Sequence, residues 1–160
     1  MKYLKLFERW IKHTDPIAVN HILRDFSRKI EDIIIGIKDI DNYVNWENKH
    51  TSGVKRYFHH DGLIKIFYSD RDRGNLLETT LQQENDDVAM FIHNYKMLNK
   101  DEINTSLEFF NFVQNCMSEY ITNQDVNLYN GRLTLLFPIE KMNQILEDLD
   151  EFLSVNKYNL

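Results

Sequence analysis

The stretch Val54-Lys55-Arg56-Tyr57-Phe58-His59-His60-Asp61-Gly62-Leu63-Ile64-Lys65-Ile66-Phe67-Tyr68-Ser69 holds two runs rich in β-branched and aromatic residues on either side of Asp61-Gly62. Such runs suit the pleated, half-buried surface of a strand, and Asp-Gly supplies the positive φ angles of a type I′ turn. The pattern predicts a β-hairpin. A two-residue loop sets His59 opposite Ile64, Tyr57 opposite Ile66 and Lys55 opposite Tyr68 on the core side. Phe58 with Lys65 and Arg56 with Phe67 then form an outer face of apolar and basic character, which either binds a partner or lies under a helix.

Further strands are expected on the C-terminal side. Leu76–Gln82 and Val88–Tyr95 are joined by Glu84-Asn85-Asp86-Asp87, and Val126–Tyr129 and Arg132–Phe137 flank Asn130-Gly131, a second hairpin signal. Helical periodicity occupies the rest. Leu4, Phe7, Trp10 and Ile11 predict a helix over Lys2–His13. Asp15 as N-cap and Pro16 at the first helical position open a second, whose stripe of Ile22, Phe26, Ile30, Ile33 and Ile37 runs to about residue 40. Gly36 and its β-branched neighbours weigh against that reading, and the rival is a strand over Asp32–Ile37; the helix is preferred. Asn99 with Glu102 forms a capping-box variant ahead of a helix over Lys100–Ile121, and Pro138 starts a last helix with the stripe Met142, Ile145, Leu149 and Phe152. The order α-α-β-β-β-β-α-β-β-α predicts an α+β fold, a largely antiparallel sheet built from hairpins with helices packed against it. Residues 1–160 read as one domain, with a helical part over about 2–47 and a mixed part over about 54–155.

A chain of 160 residues is long enough to bury a core without disulfides or a structural metal. Cys116 is the only cysteine, which excludes an intrachain disulfide and a multi-cysteine zinc site. The N-terminal residues lack a signal-peptide pattern and no apolar run approaches the roughly 20 residues of a membrane helix, so a cytoplasmic location without membrane association is expected. Glycine occurs only at 36, 53, 62, 74 and 131, leaving no GxGxxG or P-loop cradle, and no GxSxG is present. No cofactor is expected.

The candidate sites are few. His59 and His60 are adjacent in a strand and point to opposite faces, so one ion does not easily take both. Asp70-Arg71-Asp72-Arg73-Gly74 has its glycine one place early for an EF-hand, and Leu81 stands where the twelfth-position Glu belongs. It reads as a solvated hairpin loop, with Arg71 and Arg73 as secondary polar-contact residues and no metal. Cys116 beside an apolar stripe reads as an inert thiol.

Charge is the most informative feature. The net charge is −6, yet residues 1–30 carry seven Lys/Arg against three acids, while residues 101–160 carry ten acids against three bases. The basic residues are spread around the helices of an acidic chain, which makes nucleic acid an improbable partner. On the last helix Glu147, Asp148, Asp150 and Glu151 crowd together, and like charges three or four residues apart destabilise a helix by tenths of a kcal/mol. A destabilising cluster without a structural return points to interaction. The candidate partner-binding set is therefore Glu147, Asp148, Asp150 and Glu151, with Arg56, Phe67, Arg71 and Arg73, and Tyr3, Trp10, Trp46 and Tyr129 as possible aromatic anchors. The expected function is a small acidic binding protein, not an enzyme, that inhibits a basic protein partner such as a toxin or host enzyme by stoichiometric binding. Bacterial toxin-immunity proteins and phage inhibitors share this profile, though no motif carries a family resemblance. The alternatives are an assembly subunit working through a homo- or hetero-oligomeric interface, and an enzyme with a site at the Asp70–Asn75 loop together with His59 or His60.

Overall fold

The computed structural model describes residues 16–38, 53–60, 62–70, 72, 74–93, 100–127 and 132–159. Its elements are α1 (Pro16–Lys38), β1 (Gly53–Phe58), β2 (Ile64–Asp70), β3 (Gly74–Glu84), β4 (Asp87–His93), α2 (Lys100–Met117), β5 (Asn123–Asn127), β6 (Arg132–Pro138) and α3 (Met142–Asn159). Short 3-10 turns at Ser118–Tyr120 and Ile139–Lys141 follow α2 and precede α3. The six strands form one sheet in the order β1-β2-β3-β4-β6-β5, antiparallel throughout. The class is α+β, and the element order is the expected one from α1 onward. The helix expected over Lys2–His13, the caps at Asp15 and Asn99, and the turn at Asn130-Gly131 lie outside the described residues, as do Arg71, Arg73 and the four proposed anchors.

Helix α1 runs through Asp32–Ile37 without a break, which settles the helix-or-strand alternative. Ile30, Ile33 and Ile34 are buried at helical spacing. Each buried isoleucine contributes about 1.5–3 kcal/mol, whereas Gly36 in a helix costs about 1 kcal/mol, so burial outweighs propensity. The same argument explains the helix face. Val19, Leu23, Phe26 and Ile30 press on the sheet, and the Phe26 ring meets Phe137 of β6 edge-on at 5.5 Å.

Hairpin β1–β2 forms, but its register is shifted by one residue from the expected one. Phe58 pairs with Ile64, Tyr57 with Lys65, Arg56 with Ile66, Lys55 with Phe67 and Val54 with Tyr68. The connection is longer than two residues. His59 N–H donates to the Leu63 carbonyl (2.9 Å), Gly62 N–H donates to the His59 carbonyl (3.1 Å), and Gly62 has φ +82°. This is the three-residue loop that ends on a left-handed glycine. Because side chains alternate along a strand, the one-residue slip exchanges the two faces of β1 while leaving β2 as expected. Val54, Arg56 and Phe58 now share the core side with Ile64, Ile66 and Tyr68, and the expected Arg56–Phe67 pairing is broken. The observed register buries Val54 and gives Arg56 partners on α1, an advantage invisible to a rule about turn length.

The core side continues across Leu77, Thr79 and Leu81 of β3, Val88, Met90 and Ile92 of β4, and Leu133, Leu135 and Phe137 of β6. Thr79, the polar member, donates its hydroxyl to the Phe91 carbonyl at 3.0 Å. Helix α3 lies beside α1, joined by the Lys29–Asp150 ion pair. Lys38–Glu108 ties α2 to α1, and the Phe112 and Phe152 rings, 5.7 Å apart, tie α2 to α3.

Candidate functional site

The four acids of the last helix separate once α3 is placed. Met142, Ile145 and Leu149 face the core. Asp148 turns toward the 3-10 turn after α2, where it accepts a hydrogen bond from the Tyr120 hydroxyl, and it accepts a second from Gln144 Nε2 of α3 itself (2.9 Å). The Tyr120 hydrogen bond, reinforced by Gln144, holds the Asp148 carboxyl below its usual value. The same bond pushes the Tyr120 phenol up to about 12. Asp150 turns the other way and pairs with Lys29. Glu147 and Glu151, four residues apart, face solvent, and no described residue pairs with either. The expectation that this cluster has no structural return is thus corrected for Asp148 and Asp150, which fasten α3 to its neighbours. Val155, 53% exposed, and Phe152, 36% exposed, lie one turn beyond Glu151 and Asp148. The outer side of α3 therefore combines two carboxylates that no described residue neutralises with accessible apolar surface.

The other proposed residues do not join this site. Arg56 lies on the core side of β1 with its Nε 2.5 Å from the Glu31 carboxylate and its Nη1 donating to Ser27 Oγ (3.2 Å). Phe67 lies on the opposite sheet face, edge-on to Tyr57 at 5.4 Å. The Asp70–Gly74 turn is a hairpin loop as expected, in which Asp72 N–H donates to Asp70 Oδ1 (3.0 Å) and Gly74 takes φ +79°. It sits at one end of the seven-residue β2, and His59 and His60 sit at the other. At about 3.3 Å per residue the two ends are roughly 20 Å apart, so the structure does not bring the loop and the histidines into one site. His60 instead borders an open cleft of about 560 Å³ between the first turns of α1 and the β3–β4 connection.

Two features escaped the sequence reading. On the sheet face opposite the core side, Glu78, His93 and Arg132 stand in one cross-strand row, with Lys65 and Thr80 in the next. Lys65 pairs with Glu78 at 3.4 Å, the His93 ring is 3.1 Å from the Thr80 hydroxyl, and the Arg132 guanidinium stacks 3.9 Å above the Phe91 ring. Burial lowers the His93 imidazole below its ordinary value, with Arg132 and Lys65 adding to it and Glu78 opposing. Only the sheet register brings these residues together, and no sequence spacing encodes it. The second feature is the approach of Arg24 from α1 to Phe58, a ring 49% exposed on the edge strand with the Arg24 and Arg56 guanidinia 5.1 and 5.6 Å from its centre.

Among the described residues no group of three or more His, Cys, Asp or Glu is placed to hold a metal ion, and no helix is long and apolar enough to cross a membrane. Burial pushes the Cys116 thiol up to about 11, the opposite of what a nucleophile needs. No family model, curated protein or solved structure matches the chain.

Proposed function

We propose that the chain is a small acidic binding protein, working in the cytoplasm, that inhibits a basic protein partner by stoichiometric binding. The supporting observation is the outer side of α3. Glu147 and Glu151 carry charge that no described residue answers, while Asp148 bonds to Tyr120 after α2 and Asp150 pairs with Lys29 of α1. Carboxylates of this kind accelerate encounter with a basic surface, and the exposed Phe152 and Val155 supply the apolar contact that slows release. Toxin-immunity proteins and phage inhibitors are the kinds of protein that work this way.

The test follows from the division of labour among the four acids. Reversing only Glu147 and Glu151 to Lys leaves the fastening contacts intact, so the melting temperature stays unchanged while association with the basic partner falls. That partner is captured from lysate of the source organism at low salt and identified by mass spectrometry. Association rates are then measured for both proteins across ionic strength. A wild-type rate that falls with salt, and a reversed protein that is slow at every salt, agree with the proposal. Equal rates for the two proteins at low salt would refute it.

A further inference from the structure

The chain carries a second accessible patch whose chemistry complements the outer side of α3. Phe58 is half-exposed at the edge of the sheet, with the Arg24 and Arg56 guanidinia both near its ring. The two guanidinia are not equivalent. Arg56 is answered by Glu31 and hydrogen-bonded to Ser27. Arg24 is exposed, and no described residue forms an ion pair with it. An exposed aromatic ring beside arginines is the composition in which interface energy concentrates, and it suits an occupant offering carboxylates next to apolar surface.

The outer side of α3 offers that combination in Glu147, Glu151, Phe152 and Val155. Within one molecule the two surfaces do not meet. Arg24, Ser27 and Glu31 occupy the flank of α1 that faces β1, whereas Lys29 occupies the flank that faces Asp150 of α3. Helix α1 thus separates a basic, aromatic end from an acidic, apolar end.

We propose that the Arg24–Phe58–Arg56 patch docks the outer side of α3 of a second copy of this chain. The contact is heterologous: each copy gives one surface and keeps the other free, so association continues head to tail. Arg24 meets Glu147 or Glu151 of the neighbour, and Phe58 packs on Val155. This inference rests on the reading of α3 as a docking face, and it makes self-association and capture of the basic partner mutually exclusive.

Sedimentation velocity on the full chain at low ionic strength tests it, with three proteins: wild type, Arg24→Glu, and the double reversal Glu147→Lys/Glu151→Lys. Wild type sediments increasingly fast as its concentration rises, and high salt abolishes the increase. Each variant alone sediments as a single chain, because each lacks one of the two surfaces. An equimolar mixture associates again, since the intact α3 of Arg24→Glu docks on the intact patch of the double reversal. Phe58→Ser, in place of Arg24→Glu, gives the same pattern without a charge change. Wild type that remains a single chain at all concentrations overturns the proposal, as does a variant that associates alone or a mixture that stays dissociated. Arg24→Glu still captures the basic partner. A protein that does not self-associate yet captures that partner overturns only the self-docking inference, and the reverse result overturns only the inhibitor reading.

Discussion

One chemical change, glycine to alanine, is expected to act with opposite sign at positions the structure treats differently. Gly36 lies on the exposed side of α1, and an added Cβ meets nothing within 4 Å. Alanine there gains helix propensity at no steric cost, which stabilises the fold by about 1 kcal/mol. Gly74 has φ +79° and equally open space, so alanine carries the left-handed strain alone and destabilises by about 1–2 kcal/mol. Gly62 has φ +82°, and its added Cβ falls 3.2 Å from Asn20 Oδ1 on α1. Alanine at 62 therefore loses more than alanine at 74, by a few tenths of a kcal/mol, the scale of moving one flexible side chain off a rotamer. Urea unfolding with a constant m-value measures all three differences. In an Asn20→Ala background the contact contribution is gone and the strain remains, so the loss caused by Gly62→Ala, measured against Asn20→Ala, falls to that of Gly74→Ala. A neutral or stabilising Gly62→Ala would refute the three-residue loop, and with it the placement of Arg56 and Phe58 on the core side.

The half-buried Arg56–Glu31 pair gives a second test. Arg56→Met alone strands the Glu31 carboxylate and is expected to cost about 1–3 kcal/mol, whereas Arg56→Met with Glu31→Leu recovers most of that in a double-mutant cycle. His93 titrates below its ordinary 6.5 in the folded chain, so as pH falls the unfolded chain takes up its proton first. Stability is accordingly full above about 6.5 and declines on acidification, and His93→Gln flattens that part of the urea-midpoint profile between pH 7 and 5. The Cys116 thiol is raised, so the unfolded chain loses its proton first as pH rises, and the associated stability is lost between about 9 and about 11. Cys116→Ala shows no such loss in that window. Ser106 has a buried hydroxyl with no hydrogen-bond partner among the described residues, and Ser106→Ala is expected to raise stability by about 1 kcal/mol in the same unfolding assay.

What was legible in the sequence is what local physics determines. The isoleucine stripe of α1, the alternation in β2 and the α3 core face of Met142, Ile145 and Leu149 each depend on residues a few positions apart, and each is found in the structure. The β1–β2 hairpin was legible as a hairpin and illegible as a register. Asp61-Gly62 marks a turn equally well for a two- or a three-residue loop, and the alternatives differ by the contacts of Arg56 with Glu31 and Ser27, far back in the sequence on another element. The candidate site shows the same division. Counting charges locates the acids of the last helix, but only the placement of Tyr120 and Lys29 separates two that fasten the helix from two that face solvent. The row of Glu78, His93 and Arg132 is wholly a product of the sheet, since three strands must pair in one register before the residues are neighbours. Function here falls on the nonlocal side of that line. A surface able to bind is defined by which charges remain unanswered after folding, and a sequence records every charge without recording which of them are answered.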